Sequence, residues 1–189
     1  MKRIASLFIT ACILLIWPAF PSAAQPDLSK LRLPHKKVGS YQELIRSADV
    51  IVFGRFGTRT ASYPTGVPIG SGQLVNYVQP LRVLQTLKGP AQPSVSVLTD
   101  GVEPLPKPSD PLNLTYTGPL AEGEYLCFLQ KVPGTNLYSL IGPWQGLYPV
   151  RDGKLISLHE GGFQHFMGLT VPNVKKVVDD VAAQRTGVN

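Results

Sequence analysis

Residues 40–59 read "SYQELIRSADVIVFGRFGTR", and this stretch changes from a helical to an extended pattern. Ser40 and Glu43 have the S-x-x-E spacing of a capping box, in which each side chain accepts a hydrogen bond from a backbone N–H at the helix start. Apolar residues then recur at helical spacing, at Tyr41, Leu44, Ile45 and Ala48. The run "VIVFGRF" that follows is β-branched and aromatic, as buried strands are. The stretch therefore predicts a short helix that packs across a sheet or barrel, and the first strand of that sheet.

Further strand-like runs follow along the chain. They are "QLVNYVQPLRVLQTL" at 73–87, "SVSVLT" at 94–99, "EYLCFLQKV" at 124–132 and "LYSLI" at 137–141. Pro80 interrupts the first of these, and because proline cannot donate to a strand ladder we expect a bulge or an edge position there. In "GLYPVRDGKLISL", the pair Asp152-Gly153 between two extended runs predicts a β-hairpin.

Two segments rich in glycine and proline are predicted as loops. Residues 57–72 form the first. Residues 100–123 form the second, which is too long for a mere connector and is either a functional loop or locally disordered. Near the end of the chain an apolar stripe at helical spacing, with Pro172 in its first turn, predicts an amphipathic helix; its members are Val174, Val177, Val178 and Val181.

The N-terminal residues have the pattern of a secretory signal. Lys2 and Arg3 precede an apolar run that reaches Phe20, and "PSAA" supplies small residues for cleavage after Ala24. The alternative is an uncleaved anchor, although the apolar run is short for a membrane span and prolines interrupt its end. We expect residues 1–24 to be the signal peptide and the product to be secreted or associated with the cell envelope.

The remaining chain has the size of one domain. Residues 25–39 contain two prolines and little periodicity, so we expect an extended segment, which we call the leader. We expect residues 40–189 to form a single mostly β (α+β) domain. The chain has 18 basic and 12 acidic side chains, so loss of Lys2 and Arg3 leaves a net charge of +4. This mild excess suits an anionic envelope polymer but lacks the basic stripe of a nucleic-acid binder.

Several segments, taken in order, carry a resemblance to a known group. They are "SADVIVFGRF", "PLRVLQTLKG", "SVSVL", "EGEYLCFL" and "GPWQGLYPV". Over residues 41–151 the chain resembles the OB-like barrels of the netrin-module and tissue-inhibitor-of-metalloproteinase group, and uncharacterised secreted bacterial domains of that shape. The resemblance implies a small OB-like β-barrel and, by analogy, a binding platform. The inhibitors' N-terminal cysteine is missing here, so their inhibitory residues do not carry over.

Aromatic and arginine side chains are the candidate ligand-binding residues. Trp144 lies in "GPWQG", and Tyr77 and Tyr148 lie in strand-like runs where they either line a binding face or pack in the core. A second group leads into the first loop and is expected at one mouth of the barrel; it consists of Arg55, Arg59 and Tyr63.

The sequence contains no strong signature of catalysis or of a cofactor. His159 and His165 in "HEGGFQH" lack the H-E-x-x-H spacing and are weak metal candidates, while His35 stands alone. No P-loop, dinucleotide fingerprint or G-x-S-x-G motif occurs, so we expect no cofactor and assign no catalytic residue. Cys127 lies in an apolar strand-like run and is interpreted as a buried, inert thiol.

These observations favour a secreted, non-enzymatic module that binds an envelope polymer, a peptide or a protein partner. One alternative is a small secreted hydrolase that uses loop carboxylates or the His159/His165 pair. Another is a protease inhibitor that acts through residues 100–123. No nucleic-acid partner and no stable membrane span after signal cleavage are expected.

Overall fold

The structure, a computed structural model, describes residues 26–142, 144–158 and 162–186. The predicted cleavage site at Ala24 and the weak metal candidate His159 lie outside the described residues. The regular elements are α1 (Tyr41–Ser47), β1 (Val50–Phe56), β2 (Ala61–Ile69), β3 (Gly72–Lys88), β4 (Ser94–Glu103), α2 (Leu112–Thr115), β5 (Gly123–Lys131), β6 (Leu137–Leu140), β7 (Leu147–Arg151), β8 (Lys154–Leu155) and α3 (Val171–Thr186).

Five strands close into a barrel. β1 pairs with β3 on one side and with β5 on the other, and the ring is completed by the pairs β3–β4, β4–β6 and β6–β5. The β4–β6 pair is parallel and the other pairs of the ring are antiparallel. The prediction of a mostly β fold with a small OB-like barrel and a helix near each end is confirmed. Side chains that fill the barrel include Val52, Phe56, Leu81, Val97 and Leu129.

Pro80 lies where the neighbour of β3 changes. On one side β3 pairs with β4 through the whole stretch from Gln73 to Arg82. On the other side β2 pairs as far as Val78, and β1 begins at Leu81. Pro80 therefore sits in the gap between two ladders, where a missing N–H costs no strand hydrogen bond on that side.

The prediction of a loop over residues 57–72 is wrong. Ala61–Ile69 is strand β2, which pairs with the first half of β3 and turns back at Gly70, where φ is +55°. Pro64 and Pro68 are tolerated because β2 pairs only with β3 among the described strands, so its other edge needs no donors. The glycines and prolines of this segment suggested a loop, whereas the segment forms a hairpin with the first half of β3.

A second core lies outside the barrel, between its wall and the helices α1 and α3. Its members come from α1, α3, β5 and β7 and include Leu44, Ile45, Phe128, Tyr148, Val174, Val178 and Val181. The predicted cap of α1 is present: Ser40 Oγ accepts from the Glu43 N–H at 3.1 Å, whereas the Glu43 carboxylate accepts from the N–H of Gly39 at 2.7 Å. The valine stripe of α3 thus finds the packing partner that a valine-rich helix needs.

The predicted hairpin at Asp152-Gly153 is β7–β8. Val150 pairs with Leu155 and Arg151 with Lys154, which leaves a two-residue turn. Both turn residues have positive φ, +50° and +73°, as a type I′ turn requires. No helix among the described residues is long and apolar enough to cross a membrane.

Candidate functional site

The leader lies against the barrel as an extended segment. From Leu31 to Lys36 its residues alternate between half-buried and exposed, with Leu31, Leu33 and His35 facing the protein. A period of two is the pattern of a strand that lies on a surface. The leader is therefore a docked part of the fold.

The surface beneath the leader is the outer face of β3 and β4. Gln79 pairs with Val97, which is part of the barrel interior, so Asn76 and its partner Asp100 point to the opposite side, away from the barrel axis. We call this surface the outer face; it consists of Leu74, Asn76, Leu98, Asp100 and Val102. Asn76 is only 1% exposed and Asp100 only 5%, although both point outward. Their burial requires a cover, and at both positions the leader is in contact.

Two amide side chains hold the backbone of the leader. Asn76 Nδ2 donates to the carbonyl oxygens of Leu28 at 2.7 Å and Leu31 at 3.1 Å. Gln145 holds Val38 from both sides, because its Oε1 accepts from the Val38 N–H at 2.8 Å and its Nε2 donates to the Val38 carbonyl at 3.0 Å. These hydrogen bonds are made to backbone atoms of the leader, so they do not depend on its side chains.

One contact, between His35 and Asp100, depends on a side chain of the leader. His35 Nε2 lies 2.8 Å from Asp100 Oδ2, and the ring of Tyr116 meets the imidazole edge-on with 5.0 Å between centroids. The hydrogen bond to Asp100 raises the pKa of His35 above its usual value, against the opposing effect of burial. Beside this pair is a small cavity bounded by Leu33, Pro34, His35, Leu98, Thr99, Asp100, Thr117 and Leu140.

The loop predicted over residues 100–123 is shorter than expected, because residues 100–103 belong to β4 and β5 begins at Gly123. Residues 104–122, which we call the proline-rich loop, are held in place by hydrogen bonds. Trp144 Nε1 donates to the Asn113 carbonyl at 2.9 Å, and Asn113 Nδ2 donates to the Lys107 carbonyl at 2.6 Å. The Gly118 N–H donates to the Asp100 carbonyl at 2.9 Å, which ties the loop to β4. Of the two interpretations, functional loop or local disorder, the structure therefore shows an ordered loop.

The ordered loop displays apolar side chains. Leu105 is 72% exposed and Leu114 is 53% exposed. In the chain, Leu105 precedes Asn113 and Leu114 follows it, and Asn113 makes two of the hydrogen bonds that hold the loop. Both side chains are thus available for contact with a partner.

Three of the four aromatic candidates, Tyr148, Tyr77 and Trp144, occupy different environments. Tyr148 is fully buried in the second core, where its hydroxyl accepts from the Phe163 N–H at 2.9 Å, so it presents no surface to a ligand. Tyr77 is 3% exposed and donates its hydroxyl to Glu103 Oε1 at 2.7 Å. Trp144 is half-buried, with its ring against the barrel core and its N–H on the proline-rich loop.

The remaining candidates are on the barrel wall and on β2. Arg55 forms an ion pair with Glu122 at 3.5 Å, with both side chains about half exposed. Arg59 is exposed in the connection from β1 to β2, and Tyr63 is half-buried on β2 opposite Asn76.

The described residues contain no group of three or more His, Cys, Asp or Glu side chains that could hold a metal ion. His165 instead stacks on Tyr41, with ring centroids 3.9 Å apart and planes 8° from parallel. Several loop carboxylates that could serve a hydrolase have local partners, such as Asp110, which accepts from the Leu112 N–H at 2.9 Å.

Comparisons with protein-family models, with curated proteins and with solved structures find no match to this chain. The class of protein is therefore defined by its fold, a closed five-stranded OB-like barrel, and by the surfaces on it. No local pattern in the sequence indicates a role for His35 or for Asn76. The alternation of Leu31, Leu33 and His35 was the available signal for the docked leader, but nothing local identified Asn76 or Asp100 as its partners.

Proposed function

We propose that this chain is a secreted, non-enzymatic binding module whose partner is a protein or peptide of the cell envelope. The observation that carries the proposal is the ordered proline-rich loop with its exposed Leu105 and Leu114. A loop that is already ordered loses little conformational entropy when it binds, so more of its contact energy appears as affinity.

The proposal includes secretion because the N-terminal residues have the pattern of a signal peptide, with cleavage expected after Ala24. The resemblance to netrin-module and tissue-inhibitor-of-metalloproteinase barrels supports it at the level of the barrel alone, since OB-like barrels often serve as binding platforms.

A second candidate within the same class is a protease inhibitor that acts through the proline-rich loop. Leu105 stands between Pro104 and Pro106 and is 72% exposed, so an apolar side chain is offered on a restricted backbone. Titration of secreted proteases with the chain tests this candidate, and mass spectrometry shows whether residues 104–122 stay intact. Inhibition with an uncut loop supports it; rapid cleavage within residues 104–122 contradicts it.

The first experiment is affinity capture with matched variants. The intact chain is immobilised and exposed to envelope and culture-fluid proteins of the source organism at moderate salt. The test variant is Leu105→Ser with Leu114→Ser, and the control is Leu84→Ser, because Leu84 is also exposed, at 43%, but lies on β3. We expect the wild type and the control to retain one protein that the double variant loses.

Trp144→Phe tests how far the loop depends on its anchor. The phenyl ring keeps packing against the barrel but cannot donate to Asn113. We expect a loss of about 1 kcal/mol in unfolding free energy and weaker capture of the same protein.

Equal capture by all variants, or retention that high salt abolishes, would contradict the proposed function.

A further inference from the structure

We propose that the outer face is a groove for an extended peptide with a cationic side chain, and that the leader occupies it as an intramolecular competitor. This surface differs from the proline-rich loop, so the inference goes beyond the proposed function and does not depend on it.

The groove holds backbone through amide side chains. Asn76 of the outer face donates to two leader carbonyls, and Gln145, which lies beyond that face just before β7, both donates to and accepts from Val38. The contacted residues span Leu28 to Val38, most of the leader's length. An extended segment of another chain could make the same bonds whatever its side chains, as in other peptide grooves where main-chain bonds supply affinity.

Selectivity comes from Asp100 and its apolar surroundings. A carboxylate that is 5% exposed needs a hydrogen-bonded or charged partner to offset its desolvation, and His35 supplies it at 2.8 Å. Leu98, which is fully buried, lies beside Asp100 and contributes with Leu33 to the same small cavity. The groove therefore fits a segment in which an apolar residue stands two positions before a cation.

The attachment of the leader permits exchange. Arg32, Lys36 and Lys37 face solvent, and the leader joins α1 through the exposed Gly39. Val38 is buried in the second core and the Gly39 N–H is bonded to the Glu43 carboxylate, so this end stays in place and exchange concerns the part of the leader before Val38. A tethered segment competes at an effective concentration on the order of mM, so a peptide in solution binds well only when the leader's own contacts are weakened.

The experiment measures binding of a synthetic, fluorescent peptide of residues 26–38, "PDLSKLRLPHKKV", to the intact chain. In the intact chain, the substitution His35→Glu places a second carboxylate beside Asp100. The repulsion between the two carboxylates weakens the docking of the leader on the outer face. Lys36→Glu is the control, because Lys36 is the exposed neighbour. By fluorescence anisotropy we expect His35→Glu to bind the peptide at least about tenfold more tightly than the wild type or the control. A peptide with glutamate in place of His35 should bind the His35→Glu protein at least about tenfold more weakly than the unmodified peptide does.

The inference is overturned when folded His35→Glu protein binds the peptide no better than the wild type does. It is also overturned when both peptides bind equally, because Asp100 would then not select a cation. The variant His35→Ala is measured in parallel. If His35→Glu and His35→Ala both lose the folded circular-dichroism spectrum, the leader is a permanent part of the fold and the inference is overturned as well. Capture of an envelope protein through Leu105 is unaffected by any of these outcomes, so the two proposals fail separately.

Discussion

His35 and Asp100 are 65 positions apart in the chain, and their side chains meet at 2.8 Å on the outside of the barrel. The contact joins the extended leader to a buried carboxylate on β4. Because Asp100 points away from the barrel interior yet is almost inaccessible, the leader both covers the charge and supplies its partner. This relationship makes the stability of the leader's docking sensitive to pH.

Stability should fall as pH rises through the titration of His35. The pKa of His35 is raised above 6.5 in the folded protein by its bond to Asp100. The folded state thus binds this proton more tightly than the unfolded state, and the contribution is complete below the unfolded value and lost above the folded one. Urea unfolding from about pH 5 to about pH 8.5 should show the wild type losing its advantage over His35→Gln with rising pH. Parallel curves for the two proteins would contradict this.

Lys88 should stabilise the end of α1. Its Nζ donates to the carbonyls of Ile45 at 2.8 Å, Arg46 at 3.1 Å and Ala48 at 2.5 Å, which are oxygens at the helix end. We expect Lys88→Met to lower the unfolding free energy by about 2 kcal/mol in urea titrations.

Lys154→Met is the matched control for this change, since Lys154 is exposed on β8. Its effect should stay within about 0.5 kcal/mol. An equal effect of both substitutions would mean that the three carbonyls gain nothing specific from Lys88.

The approach of the proline-rich loop to β4 should require glycine at position 101. A Cβ on Gly101 would lie 2.6 Å from the Gly118 Cα and 2.9 Å from Tyr77 Cε2. Gly101→Ala should therefore destabilise the protein by about 1 to 3 kcal/mol and speed proteolysis within residues 104–122. At Gly57 an added Cβ meets no atom within 4 Å, so Gly57→Ala should change thermal stability little. Similar melting temperatures for both variants would show that the loop moves aside freely.

Cys127 should report global unfolding. It is fully buried in the barrel, and burial raises the pKa of its thiol, so the reactive thiolate is suppressed. In a Cys12→Ser background, in which Cys127 is the sole thiol, labelling by a thiol reagent at about pH 8 should be slow in buffer. The labelling rate should rise in step with the unfolded fraction in urea. Fast stoichiometric labelling of the native protein would place the thiol at the surface.

Much of the fold could be predicted because the signals are local. The Ser40 cap depends on residues three apart, and the type I′ turn at Asp152-Gly153 needs only residues that tolerate positive φ. The valine stripe of α3 likewise lies within a few turns of one helix. In each case the interacting groups are near neighbours in the chain, so their spacing carries the information.

The candidate site was less predictable. Tyr148 and Trp144 stand four positions apart in one aromatic segment, yet one is fully buried in the second core and the other is half-buried at the proline-rich loop. Aromatic side chains suit cores and binding surfaces equally well, so residue type alone cannot separate these environments.

The sequence by itself determined most of the strands, the cap of α1 and the turn at Asp152-Gly153, because these depend on contacts within a few residues. Only the tertiary structure decided the closure of β1 against β5 and the docking of the leader. Each of these depends on backbone or side-chain groups from distant segments, such as Asn76 with Leu28 and Gln145 with Val38. Such pairings require the rest of the fold to bring the partners together, which is why local spacing does not reveal them.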